Sequence, residues 1–151
     1  MENDHFSSLF DKLDNDRKND KLLCDVTISV NNKHFPAHRC ILATFCVYFA
    51  TLFQSSFDDK LNNIIKLTGP IGEEITCDTF DWLLQYLYTA KASITANNVY
   101  DILSASEFLQ IDRLKAKCLE CLKTLINAEN LLFSLYGLQI LSKNDKISRF
   151  G

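Results

Sequence analysis

Residues 24–53, CDVTISVNNKHFPAHRCILATFCVYFATLF, decide how this chain reads. Val26, Ile28 and Val30 alternate with Asp25, Thr27 and Ser29, the period-two pattern of a half-buried β-strand. Asn31-Asn32 follows. Asparagine tolerates positive φ, so a two-residue hairpin turn is predicted there. Lys33–Phe35 returns as the second strand, and Pro36, with no N–H to donate, is expected to stop it. His38-Arg39 then opens an apolar helical stretch over residues 41–53. Periodicity alone does not separate one bent helix from two.

Toward the N-terminus, Phe6, Leu9, Phe10 and Leu13 fall at i, i+3, i+4 and i+7. They form the apolar face of a helix over residues 4–14, with Asn3 or Asp4 as its cap. Residues 15–21 are polar and read as a loop. Toward the C-terminus, residues 55–63 form a polar connection interrupted by Phe57. Ile64-Ile65-Lys66-Leu67 is a short β-rich run, and Gly69-Pro70 with Gly72 marks a turn. Phe80, Leu83, Leu84, Leu87 and Tyr88 make a 3.6-residue face, with Asp78 or Thr79 as cap. A brief strand is expected over residues 91–95. A helix from about Asn97 then carries Val99, Ile102, Leu103 and either Phe108 or Leu109. Ile111, Leu114, Cys118, Leu122 and Leu125 mark the next helix, and a further one is expected over residues 127–141. The chain shows no repeat of fixed period.

At 151 residues the chain is of one-domain length and can bury a real core. Its hydrophobic fraction of 47% against 23% charged residues is that of a globular protein. A net charge of −3 argues against a general nucleic-acid binder, since no basic stripe is present to neutralise phosphates. The most basic window, residues 113–123, includes Glu120 and reads as a solvated helix face. Four Gly and two Pro leave little room for linkers. No apolar run approaches the roughly 20 residues a membrane span needs, and the first 20 residues are too polar for a signal peptide.

Six cysteines without a secretion signal are expected to be free thiols. Cys118 and Cys121 form a CxxC. His5, His34 and His38 show no ligand spacing around it, and both thiols continue the apolar face of Ile111, Leu114 and Leu125. They are expected to be small core residues, with no metal or cofactor. Asp25, His38 and Arg39 are the candidates for a charged cluster. With no partnered nucleophile and no phosphate loop beside them, they are read as structural and no catalytic residue is assigned.

Together these elements resemble a BTB/POZ domain. The likeness rests on Cys24-Asp25-Val26, Phe35-x-Ala37-His38-Arg39, Ile41-Leu42-Ala43 and Tyr48-Phe49-x-x-Leu52-Phe53. In the second half it rests on Phe80-x-x-Leu83-Leu84-x-Tyr86-Leu87-Tyr88-Thr89, on Asn98-Val99-x-x-Ile102-Leu103-x-Ala105-x-x-Phe108-Leu109-Gln110-Ile111, and on Leu114-x-x-x-Cys118. It covers residues 22–125 and is nearest to the kelch-like (BTB-BACK-kelch) group. Residues 69–76 depart from it by a few extra positions.

The resemblance implies an α+β fold: a helix bundle with a small mixed sheet capping one side, an N-terminal dimerisation helix and a C-terminal extra helix. It divides the chain into a dimerisation helix and loop (1–21), the BTB/POZ domain (22–126) and the start of a BACK region, the 3-box (127–151). It implies a non-catalytic homodimer joined through Phe6, Leu9, Phe10 and Leu13, with Asp25 and Arg39 tying the subunits. It further implies an adaptor that recruits cullin-3 to a ubiquitin ligase through Phe49, Leu52, Phe53, Phe57 and Asp59. In that motif Asp59 stands where the family carries Glu. Substrates would be held by a C-terminal domain beyond this chain. The adaptor would work in the cytoplasm, with the nucleus also open to it, and would bind neither nucleic acid nor membrane. Two alternatives are a corepressor-recruiting BTB domain of a zinc-finger transcription factor and a thiol oxidoreductase built on Cys118 and Cys121. The second lacks the preceding strand and the Pro or aromatic setting of a thioredoxin-like site.

Overall fold

The alternation in the quoted stretch becomes β1 (Val26–Val30), with Val26, Ile28 and Val30 buried, at most 3% exposed. Asn31 and Asn32 both take positive φ, 47° and 65°, the pair of angles a type I′ hairpin turn requires. β2 (Lys33–Ala37) returns antiparallel, with Ile28 opposite Phe35 and Thr27 opposite Pro36. The strand therefore runs through Pro36 instead of stopping there. The sheet order β2-β1-β3 explains the difference, because β2 is an edge strand and an edge strand tolerates a missing donor. β3 (Ile64–Lys66) lies parallel to β1 and completes a mixed three-stranded sheet.

In this computed structural model, residues 2–55 and 63–149 are described, with side chains over 4–55 and 63–139. α1 (Glu2–Asn15) covers the predicted first helix. The next residues, expected as a loop, form a π-helical turn, Asp16–Asp20, closed by Lys21 at φ 56°, whose N–H donates to the Asp16 carbonyl at 2.7 Å. No apolar periodicity announces this turn, because polar contacts hold it: Asp14 accepts from both Arg17 and Lys18 at 2.7 Å.

The apolar run resolves into two helices, α2 (Arg39–Phe45) and α3 (Val47–Ser55), broken at Cys46 in an extended conformation. α4 (Pro70–Glu74) is a short helix where a turn was expected, with Pro70 at its start after Gly69 at φ 88°. Gly72 within it is buried. A Cβ there would lie 2.8 Å from Cζ of Phe108, so only glycine lets the two segments meet this closely.

α5 (Cys77–Thr89) is the central helix. Its cap is Thr76, whose hydroxyl accepts from the Thr79 N–H at 3.1 Å, two or three residues earlier than expected. Phe80, Leu83, Leu84, Leu87 and Tyr88 are buried as predicted, each worth roughly 1.5–3 kcal/mol. Residues 91–95 form no strand. Asn98 ties them into a loop instead, its Oδ1 accepting from the Thr95 N–H at 2.7 Å and its Nδ2 donating to the Ser93 carbonyl at 3.1 Å. α6 (Val99–Leu109) buries Val99, Ile102 and Leu109. α7 (Asp112–Arg149) is one continuous helix of 38 residues across the expected break near Asn127. The arrangement is the expected α+β one, with the core packed between the sheet and α2, α3, α5, α6 and the first turns of α7.

Candidate interaction surface

α1 divides its apolar residues between two environments. Phe10 and Leu13 are half-buried against the body of the domain, where α1 packs on α5. Phe6 and Leu9 lie exposed, at 62% and 48%. Beside them is a groove of about 560 Å³, lined by Phe10, by Phe45 and Val47 at the α2–α3 junction, by Tyr86 and Ala90 at the end of α5, and by Ile111. Phe45 and Val47 are themselves exposed. Ser7, Asp11, Thr44, Thr89, Lys91 and Arg113 also line it, so apolar and polar side chains share the groove, and Phe6 and Leu9 stand outside its lining.

Of the residues assigned to cullin binding, Phe49 is buried at 1% exposure and stacks on Phe53, ring centroids 5.8 Å apart. Leu52 and Phe53 are half-buried, with the Arg39 guanidinium 4.8 Å over the Phe53 ring. Phe57 and Asp59 lie outside the described residues. A second apolar surface follows α7. Its core-facing line of Leu114, Cys118, Cys121 and Leu125 continues at helical spacing to Leu132 and Tyr136, which are 68% and 64% exposed.

Asp25, His38 and Arg39 do not form one cluster. Asp25 is exposed, and its Oδ1 accepts from the Arg39 N–H at 2.7 Å, which caps the start of α2. The Arg39 Nε donates to the Asp25 carbonyl at 3.3 Å. His38 turns the other way, into a network that sequence reading missed. Its Nε2 lies 3.0 Å from Oδ2 of Asp16 and its Nδ1 lies 2.7 Å from the Tyr88 hydroxyl. That hydroxyl also accepts from the His38 backbone N–H at 3.0 Å. Leu22 and Leu23 donate their N–H groups to the Asp16 carboxylate, each at 3.0 Å, and Cys24 Sγ stands 3.6 Å from its Oδ2. The arrangement assigns Nε2–H to Asp16 and leaves Nδ1 to accept from Tyr88. The Arg17 guanidinium covers the Tyr88 ring at 4.9 Å.

These contacts set the ionisation of the group. Burial alone would raise the Asp16 carboxyl, but the hydrogen bonds from His38, Leu23, Leu22 and Cys24 outweigh it and hold the group below its ordinary value. Burial, and then the neighbouring Asp16, push the Cys24 thiol up to about 11. Burial also raises the Tyr88 hydroxyl. A Cys–His–Asp trio invites a nucleophilic reading, but this one is wrong for it. Thiol and carboxylate both face Nε2, so the imidazole cannot relay between them, and a raised thiol is a poor nucleophile. Cys118 is fully buried in the core, as expected, its thiol raised by burial to about 11.

Comparison with known proteins agrees with this architecture. A family described as the BTB/POZ domain matches residues 13–126. Zinc finger and BTB domain-containing protein 7A of Gallus gallus is 35% identical over 127 residues, covering 84% of this chain and 22% of the relative. The human transcription regulator protein BACH1 is 36% identical over 119 residues, covering 79% of this chain and 15% of its own length. Zinc finger and BTB domain-containing protein 5 of Mus musculus is 33% identical over 120 residues, covering 80% and 17%. The chain thus spans less than a quarter of each of these relatives. In solved structures, the BTB domain of zebrafish PATZ1 superposes with a TM-score of 0.68 at 24% identity, over 80% of this chain and 92% of that one, which speaks for the fold. These relatives are zinc-finger BTB proteins and a BACH regulator. They give the kelch-like assignment no support. On the match across residues 13–126, together with the mixed sheet and its helices, the chain belongs to the BTB/POZ domain family of protein-interaction modules.

Proposed function

We propose that this chain is the homodimerising, partner-recruiting domain of a transcription regulator, and that it performs no reaction of its own. The observation that carries this reading is the exposure of large apolar side chains, Phe6 and Leu9 on α1 and Phe45 and Val47 at the wall of the groove. A solvent-exposed surface of this kind stabilises an association by its burial. A self-complementary patch on a first helix closes as a two-fold dimer and stops there. The zinc-finger BTB and BACH relatives support the regulator over the ubiquitin-ligase adaptor. In this reading the dimer presents a groove to a corepressor peptide and acts in the nucleus.

Sedimentation equilibrium tests the dimer. The wild type is expected to sediment as a dimer at micromolar concentration. Phe6→Lys with Leu9→Lys, which places charge in the seam without touching the core, is expected to give a folded monomer. A monomeric wild type refutes the proposal, and a double mutant that remains dimeric removes α1 from the interface.

The cullin-3 adaptor stands as a second reading, favoured by the apolar line of Leu132 and Tyr136 that α7 carries beyond the core. Calorimetry against the cullin-3 N-terminal region separates the two. The regulator reading expects no heat of binding. The adaptor reading expects binding that Leu132→Lys weakens.

A further inference from the structure

We propose that Asp16, Cys24 and His38 form a binding site for a single zinc ion, which clamps the π-helical turn to the two ends of the β1–β2 hairpin. The ligand atoms come from three separate points of the chain and all lie within 4.8 Å of one another. Oδ2 of Asp16 and Nε2 of His38 are 3.0 Å apart, Sγ of Cys24 and Oδ2 are 3.6 Å apart, and Sγ and Nε2 are 3.8 Å apart. A tetrahedral zinc ion, with bonds of about 2.0–2.1 Å to oxygen and nitrogen and about 2.3 Å to sulfur, spaces such ligands at roughly 3.3 Å and 3.5–3.6 Å. The fit needs shifts of only a few tenths of an ångström.

The donor set selects the metal. Thiolate and imidazole with one carboxylate suit zinc, whereas calcium and magnesium require oxygen ligands throughout. Charge agrees, because a divalent cation with one carboxylate, one thiolate and a neutral imidazole sums to zero, the state least costly to bury. The outer partners are already placed. The Tyr88 hydroxyl fixes the ring through Nδ1, and the N–H groups of Leu22 and Leu23 fix the carboxylate. Asp16 also lines an open depression with Ser8, Asn15 and Leu23, the side from which a water ligand would complete the tetrahedron.

Protons balance. Binding expels the thiol proton of Cys24 to solvent. The imidazole proton passes from Nε2 to Nδ1, where the Tyr88 oxygen accepts it through a free lone pair. One proton is therefore released per zinc. Sequence spacing could not disclose the site, since residues 16, 24 and 38 match no ligand motif.

The experiment uses the full chain stripped of metal, titrated first with Co²⁺ and then with competing Zn²⁺. The expected result is one Co²⁺ per chain with tetrahedral d–d bands and a thiolate-to-cobalt charge-transfer band, displaced by one Zn²⁺. Calorimetry in buffers of different ionisation enthalpy is expected to show about one proton released per zinc. Cys24→Ser should abolish the charge-transfer band and weaken zinc binding by at least ~tenfold, while Cys40→Ser and Cys121→Ser retain both. Asp16→Asn, in case Cys24→Ser fails to fold, should weaken binding yet keep the charge-transfer band. A wild type without that band, or a band that survives Cys24→Ser, overturns the assignment.

Discussion

Tyr88→Phe isolates one oxygen atom at the centre of the domain. The ring keeps its volume, so no cavity opens, and its packing within the core is unchanged. What disappears is the hydroxyl that accepts from the His38 N–H at 3.0 Å and bonds Nδ1 at 2.7 Å. Tyr88 is 1% exposed and His38 is 3% exposed, so water does not take its place. A buried polar group left without its partner costs about 1–3 kcal/mol. Two are left here, and ring tilt recovers part of the loss, so a net destabilisation of about 2–4 kcal/mol follows. At roughly 3 °C per kcal/mol for a chain of this size, the melting temperature should fall by ~6–12 °C. Calorimetric melting of metal-free wild type and variant, at equal protein concentration so that association does not enter, measures it. Tyr100→Phe is the control. That side chain is 69% exposed, and its variant should stay within ~0.5 kcal/mol of wild type. A Tyr88→Phe melting curve that coincides with the wild type refutes the claim that this hydroxyl organises the network.

Gly72→Ala sets a new Cβ 2.8 Å from Cζ of Phe108, whose ring lies 4.9 Å from that of Tyr48, so chemical denaturation should show a loss of ~1–3 kcal/mol. Alkylation followed by mass spectrometry should label exposed Cys40 first. Cys46 and Cys118, with thiols raised by burial to about 12 and about 11, should react only on global unfolding; early labelling of either means that the core opens locally. The lowered Asp16 carboxyl contributes stability in full above its unfolded value of 3.8, and that contribution is lost as pH falls through the lower folded value. Asp16→Asn should therefore be less stable than wild type at neutral pH and converge on it under acid, and parallel pH curves would contradict this.

Local signals disclosed the elements that local physics determines. The hairpin followed from alternation around Asn31-Asn32, and α5 from five apolar residues at one helical spacing. Readings failed where a distant neighbour decides. Pro36 stays in its strand because that strand is at the edge, a fact about sheet order that no window around Pro36 contains. Residues 91–95 have strand-like composition, yet the Asn98 side chain takes their polar groups. The sequence groups Asp25, His38 and Arg39 as one candidate charged cluster. The residue that meets His38 is Asp16, placed there by a π-helical turn with no apolar signature. Among the surface residues, exposure separated Phe6 and Leu9 from Phe10 and Leu13, a division that periodicity cannot make because all four share one helical face.

The unbroken course of α7 makes distance and bearing inseparable beyond the core. A 38-residue helix is about 57 Å long, and among the residues whose side chains are described only its first turns, as far as Leu125, rest on the domain. Each residue advances the helix by about 1.5 Å and turns it by about 100°. Deleting one residue between Asn127 and Asn130 would draw Leu132 and Tyr136 inward by that small step while swinging them about a quarter-turn around the axis. Inserting seven there instead would keep their heading to within about 20° and lengthen the reach by ~10 Å. The helix thus behaves as a threaded shaft, and the domain fixes its phase. A partner that grips this line and the body together would lose its hold after either change, through bearing in the first and through distance in the second. A partner that grips the shaft alone would be indifferent to both.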